Sequence, residues 1–197
     1  MSKITEFKRR TILDAATAIF TEKGVGKATM RAVAAKAEVT TGSLYSMFGS
    51  KEAIYVELLA ESLVRLNEYV KDQAIAGKSP HSALRLAANA FYDYYKPRLF
   101  EAQLGIYSFG DIQLDEFDKK QAYELNKALV ATLDIFADKI QCAAPNLSEE
   151  QVRAERDALF TVLLGVLCLA FTKRATSINT TPDFVLKTHV DALIARL

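Results

Sequence analysis

Apolar residues recur along this chain at intervals of three and four, not two. Ile12, Leu13, Ala16, Ile19 and Phe20 fall on one face of a first helix, and Met30, Val33, Ala34 and Ala37 on one face of a second. Leu44 and Phe48 belong to a short third. A long fourth starts at Ser50 and carries Ile54, Leu58, Leu63, Leu66 and Val70 until Gly77 stops it. A fifth bears Leu84, Ala87, Ala88, Phe91 and Tyr95, and a sixth covers about 98–108. A seventh holds Leu125, Leu129, Leu133, Phe136 and Ile140, an eighth runs over about 149–175, and a ninth holds Leu186, Val190, Leu193 and Leu197. Ser79-Pro80 and Thr181-Pro182 each read as an N-cap followed by proline in the first turn, and Ser148 with Gln151 as a capping box. No stretch alternates with period two, so the expected class is all-α with about nine helices.

Composition narrows this little. Of 197 residues half are apolar and a quarter charged, with a net charge of +1, which excludes a basic packaging protein and an acidic disordered chain. The distribution of charge says more. Residues 1–54 hold nine bases and five acids, a net +4, while the remainder carries −3. A basic N-terminal quarter on a mildly acidic body suggests that one end meets a polyanion, although solvated helices also scatter charge. The longest apolar run, residues 158–171, is too short to span a bilayer and reads as a helix buried on most sides. Cys142 and Cys168, in apolar helical runs, are expected as small core residues of a cytoplasmic protein. No catalytic constellation, metal-ligand spacing or cofactor loop is apparent, so an enzyme is not expected, nor a membrane partner.

The span 29–48 carries the sharpest signal. Thr29 caps a helix of about eight residues; after a three-residue turn Thr40 caps another, the layout of a helix-turn-helix. On the second of these, Leu44, Met47 and Phe48 share one side. Gly42, Ser43, Tyr45 and Ser46 occupy the other, which is small and hydroxyl-bearing and suits a groove of DNA. Gly42 costs a helix about 1 kcal/mol relative to Ala, a cost that close approach to DNA would explain.

The string Arg10-x-Ile12-Leu13-x-Ala15-Ala16-x-x-x-Phe20-x-x-x-Gly24, continued by Ala28-Thr29-Met30-Arg31-x-Val33-Ala34-x-x-Ala37-x-Val39 and closed by Thr40-x-Gly42-x-Leu44-Tyr45-x-x-Phe48-x-Ser50-Lys51-Glu52, resembles the opening of the tetracycline-repressor (TetR) family. The resemblance covers about 10–54. It implies a DNA-binding domain over 1–50 and a helical ligand-binding and dimerisation domain over 51–197. It implies a homodimeric regulator, a repressor in the commoner mode, that binds palindromic double-stranded operator DNA and is released by a small, largely apolar inducer. Contacts to DNA would come from Thr29, Arg31, Thr40, Thr41, Gly42, Ser43, Tyr45, Ser46 and Lys51. Thr29, Thr40 and Ser50 would be caps in any protein, and Tyr45 could instead pack on the first helix. Two positions depart from the family's pattern. Glu38 stands in the turn where glycine is usual, and Met47 stands where His or Tyr is frequent.

The same resemblance places an inducer cavity among the fourth to eighth helices. Leu63 and Leu66, with the aromatics Phe91, Tyr95, Tyr107 and Phe109, are its candidate lining; the alternative for each aromatic is ordinary core packing. The apolar eighth helix and the stripe on the ninth are expected to pair across a two-fold axis, with Gly165 at a close helix crossing. A competing reading is an all-α small-molecule-binding or interaction scaffold without specific DNA binding, which titration against DNA fragments separates from the first.

Overall fold

The computed structural model describes residues 3–107, 119–172 and 174–197. Among these it is all-helical, with α1 (Lys3–Lys23), α2 (Met30–Lys36), α3 (Thr41–Met47), α4 (Lys51–Ile75), α5 (Pro80–Tyr95), α6 (Leu99–Tyr107), α7 (Lys119–Ala143), α8 (Glu149–Phe171), α9 (Arg174–Ser177) and α10 (Pro182–Arg196). The chain forms two compact units, Met1–Ser62 with Gln103–Leu125, and Leu63–Ala102 with Asn126–Leu197.

In the first unit α1 packs on α2 and α2 on α3. Ile12 and Ala16 of α1, Val33 of α2, Leu44 of α3 and Ile54 of α4 are all fully enclosed. Tyr55 is enclosed as well, and its hydroxyl donates to the Leu104 carbonyl, which removes the cost of burying it. The turn after α2 closes in a Schellman motif. The Val39 N–H bonds the Ala34 carbonyl at 3.0 Å and the Glu38 N–H bonds that of Ala35 at 3.3 Å. The motif demands a left-handed residue, and Glu38 supplies it at φ 57°. A side chain in this region carries strain that glycine avoids. Asn179, at φ 52°, closes α9 in the same way with the Thr180 N–H on the Ala175 carbonyl.

In the second unit α8 packs on α5 and α10, and α5 also meets α10. Its core includes Leu66, Leu84, Ala88, Phe136, Leu163 and Val190. The sequence caps are in place. Ser79 and Ser148 form full capping boxes with Ser82 and Gln151, and the Thr181 hydroxyl accepts from the Phe184 N–H. At the start of this unit's α5 a Cβ on Gly77 would stand 2.5 Å from the Ala83 backbone, so only glycine fits there.

Several expectations change here. The eighth helix does not run to 175. It ends at Phe171 with Thr172 as its cap, and the separate turn α9 makes ten helices among the described residues. Leu186, Val190 and Leu193 are not a seam for a partner. They are the inner face of α10, 3%, 0% and 0% exposed within their own chain. Cys142 and Cys168 are exposed, not core. Cys168 falls on the outward row of α8 with Ala154, Ala158, Thr161 and Gly165, opposite the buried Leu159 and Leu163, so an apolar run hid which way it faces. Among the described residues Gly165 lies at no crossing, since a Cβ there would meet nothing within 4 Å. No described helix is long and apolar enough to cross a membrane.

Because Glu38 occupies a left-handed position and its side chain is exposed, Glu38→Gly is expected to raise stability by up to about 1 kcal/mol. Chemical denaturation checks this; an unchanged or lower midpoint would show that the turn carries no relievable strain.

Candidate nucleic-acid interface

Seven residues are too few for a helix to persist without tertiary support. α3 is held by burial of Leu44 (0% exposed) and of Phe48 (2%), whose N–H closes the helix on the Leu44 carbonyl at 2.8 Å. With that side inward, the other side has to face out. Thr40, Thr41, Gly42, Tyr45 and Ser46 are exposed and Ser43 is half-buried. Tyr45 is 52% exposed and so does not pack away on α1. Gly42 has open space where a Cβ would stand, so nothing inside the chain requires a glycine there.

Both short helices begin on an exposed threonine. The Thr29 hydroxyl accepts from the Ala32 N–H at 3.2 Å, and that of Thr40 from the Ser43 N–H at 3.1 Å. A hydroxyl that accepts a cap bond keeps its own proton to donate, so each can cap a helix and still bind an anion. Arg31 is exposed beside the first cap. Lys51 is half-buried, and its ammonium donates to the Gly26 carbonyl at 3.3 Å, which ties the loop between α1 and α2 to the start of α4. Ser50 caps α4 through the Ala53 N–H at 3.1 Å.

The charge count missed two ion pairs because their acids lie just beyond residue 54. Arg9 makes a two-pronged bond to Glu57, and Arg10 reaches Glu61 at 2.8 Å as well as Asp14 at 2.9 Å. The Glu61 hydrogen bond outweighs burial and holds the Arg10 guanidinium above its ordinary pKa. Counted through residue 62 the net charge is +2. Lys23, Lys27, Arg31 and Lys36, all exposed between the end of α1 and the end of α2, hold much of what remains.

The candidate ligand residues lie elsewhere. Leu63, Leu66, Phe91 and Tyr95 are all buried in the second unit. Phe91 stands at the centre of a ring cluster, 5.4 Å from Tyr95 and 6.2 Å from both Phe136 and Phe160, centroid to centroid. Tyr107 ends α6, but its side chain and all of Phe109 lie outside the described residues. At the edge of the same unit the Tyr94 hydroxyl donates to Glu101 at 2.8 Å, and Arg65 bonds Glu101 at 3.1 Å. Burial opposes the Arg65 charge, but the bonds to Tyr94 and Glu101 prevail and raise its pKa. An open cleft of about 320 Å³ lies between α5 and α10, bordered by Arg85, Asn89 and Tyr92 on one side and Asp183 and Lys187 on the other; no local pattern foretells it.

Residues 12–58 match the family model for bacterial regulatory proteins of the tetR family. The chain is 32% identical over 118 residues to the HTH-type transcriptional repressor KstR of Mycobacterium tuberculosis, covering 57% of this chain and 54% of that protein. It is 33% identical over 106 residues to KstR of Mycolicibacterium smegmatis, covering 53% of this chain and 52% of that one. The chain thus spans about half the length of these curated relatives. Among solved structures, FadR of Bacillus subtilis in complex with stearoyl-CoA superposes with a TM-score of 0.71 at 18% identity, over 95% of this chain and 98% of that one. A tetR-family protein from Rhodococcus RHA1 gives 0.75 at 17% identity, over 99% and 97%. Those two likenesses concern the fold alone. Residues 12–58 thus carry the DNA-binding region of the tetR family, and the N-terminal match, the repressor relatives and the all-helical architecture together support a TetR family transcriptional regulator.

Proposed function

We propose that this chain is a ligand-responsive transcriptional repressor that binds a palindromic operator as a homodimer. The observation that carries this reading is the outward side of α3, where Thr41, Gly42, Tyr45 and Ser46 stand exposed opposite the buried Leu44. Residues 1–50 act as the DNA-binding domain and 51–197 as the ligand-binding and dimerisation domain. α3 enters a major groove. Thr29, Arg31 and Thr40 meet phosphates or base edges, and Tyr45, Ser43 and Ser46 face bases or the adjoining sugar-phosphate. Lys51 contributes a phosphate contact from α4 while holding the Gly26 carbonyl. Two copies present their α3 helices about 34–36 Å apart, or a multiple of it, to match one turn of DNA.

The inducer is small and largely apolar. Leu63, Leu66 and the Phe91–Tyr95 ring cluster supply its apolar contacts, with Tyr107 and Phe109 as further candidates. By linkage, whatever factor the inducer takes from operator affinity, the operator takes from inducer affinity. The acyl-CoA bound by the structurally similar FadR makes long acyl chains the first class to screen.

Pairing of copies uses the outward row of α8, Ala154, Ala158, Thr161, Gly165 and Cys168, whose spacing of four and three residues presents one flat, small-residue strip. The exposed Phe184 of α10 adds apolar surface.

Three outcomes are expected. The purified protein enriches a palindromic sequence from a random DNA pool and releases it steeply as salt rises; Tyr45→Ala weakens that complex about tenfold or more without loss of helicity. A pool that yields no enriched sequence defeats the repressor reading and leaves the scaffold. Gly42→Ala separates stability from binding, because the new methyl meets nothing in the free chain. Its stability rises by up to about 1 kcal/mol and its melting point with it, while operator affinity falls. Equal or tighter binding would remove the case for close approach at α3. In sedimentation the wild type runs as a dimer and Gly165→Arg as a folded monomer, whereas Val190→Asp unfolds, its side chain being sealed inside the chain. A dimeric Gly165→Arg protein would place the seam elsewhere.

A further inference from the structure

The first unit holds an arginine that touches three helices' worth of structure at once. Arg9, on α1, presents its guanidinium edge to Glu57 of α4, Nε to Oε1 at 2.6 Å with a second bond from the terminal nitrogen to Oε2. Its flat face lies over the ring of Phe48, 4.3 Å from the centroid. Phe48 is the residue that ends α3. The Arg9 and Glu57 side chains are 30% and 26% exposed and Phe48 is 2% exposed, so the group is partly shielded from water and from salt. One turn further along α4, Glu61 repeats the tie through Arg10.

Only a planar, delocalised cation can fork to a carboxylate with its edge and stack on a ring with its face. A lysine could satisfy one demand and lose the other. The three groups therefore form a rigid sequence: α4 carboxylate, α1 guanidinium, the ring at the C-terminal end of α3. Since α3 has seven residues, the seat of Phe48 largely fixes its orientation.

We infer that Arg9 is a positioning residue for DNA recognition: it does not meet DNA, but with Glu57 and Phe48 it sets the seat of α3 against α4, so that a shift of α4 is felt at the recognition surface. This rests on the DNA-binding reading above. It makes a prediction opposite in sign to simple electrostatics. Glu57→Gln removes an acid from the DNA-binding unit, which by charge alone tightens a complex with a polyanion. Through the loss of the Arg9 seat it is expected to weaken that complex.

The test uses operator DNA enriched by the wild-type chain from a random pool, with affinity measured over a range of salt well below the melting points. Glu57→Gln and Arg9→Met are each expected to weaken binding about tenfold, with the slope of log affinity against log salt unchanged. The double variant is expected to be no weaker than either single one, because both break the same link. Arg9→Lys keeps charge and stem and is expected to show the same loss; it replaces Arg9→Met should that variant not fold. A Glu57→Gln protein that binds as tightly as wild type, or tighter, overturns the inference. So does an Arg9→Met protein whose salt slope falls by about one, the mark of a lost phosphate contact. A parallel measurement needs no DNA. In Glu57→Gln the amides of residues 44–48 are expected to exchange hydrogen about tenfold faster while those of α5 and α8 keep their rates. If the wild type enriches no sequence, the DNA reading fails by itself, and the exchange rates at 44–48 then decide on the Arg9 seat, unchanged rates overturning it.

Discussion

The burial of two side chains, Leu44 and Phe48, governs the proposed recognition surface of this protein. A seven-residue helix gains too few hydrogen bonds to repay its own ordering, so its neighbours must hold it. Enclosing Leu44 completely and Phe48 almost completely fixes both the existence of α3 and its rotation about its own axis. Once that rotation is set, the outward placement of Gly42, Tyr45 and Ser46 follows from a period of 3.6 residues. The two threonine caps define where the short helices begin, the Schellman turn at Glu38 defines the angle between them, and Arg9 covers the ring that ends the second.

Much of this could be read from the chain. Caps and apolar spacing are local properties, and Thr29, Thr40, Ser79, Ser148 and Thr181 all perform the roles their neighbours in sequence imply. The strained turn was legible too, because a Schellman closure needs a left-handed residue and the position held glutamate instead of glycine. The inward side of α3 needed only a helical wheel.

What escaped was information about faces and about distance. An apolar helix shows its period weakly, so α8 gave no clear sign of which row faces out, and Cys168 was assigned to the core when it lies on the outward row. The stripe on α10 was recognised as apolar, but its burial partner could as well have been another copy as the chain's own α8 and α5; the chain's own helices fill that role. Ion pairs between residues nearly fifty positions apart, such as Arg9 with Glu57, leave no mark in local pattern, and a charge count cut at residue 54 credited to the surface a cation already engaged. The ring cluster around Phe91 was foreseen as aromatic, while its partners Phe136 and Phe160, on other helices, come together only through tertiary packing.

The outward-facing thiols have a practical consequence. The chain contains no tryptophan, and its two cysteines are both open to solvent, Cys142 near the end of α7 and Cys168 on the outer row of α8. Its optical background above 295 nm is therefore nearly dark, and Cys142, which lies outside the proposed α8 seam, accepts a reporter group without disturbing packed side chains. A tryptophan introduced at the exposed position 45 would be the sole indole emitter at the proposed recognition surface, and a probe on Cys142 with Cys168 changed to serine would report from the other unit. Motions of the two units can thus be followed by fluorescence in one molecule, with substitutions confined to residues that face water.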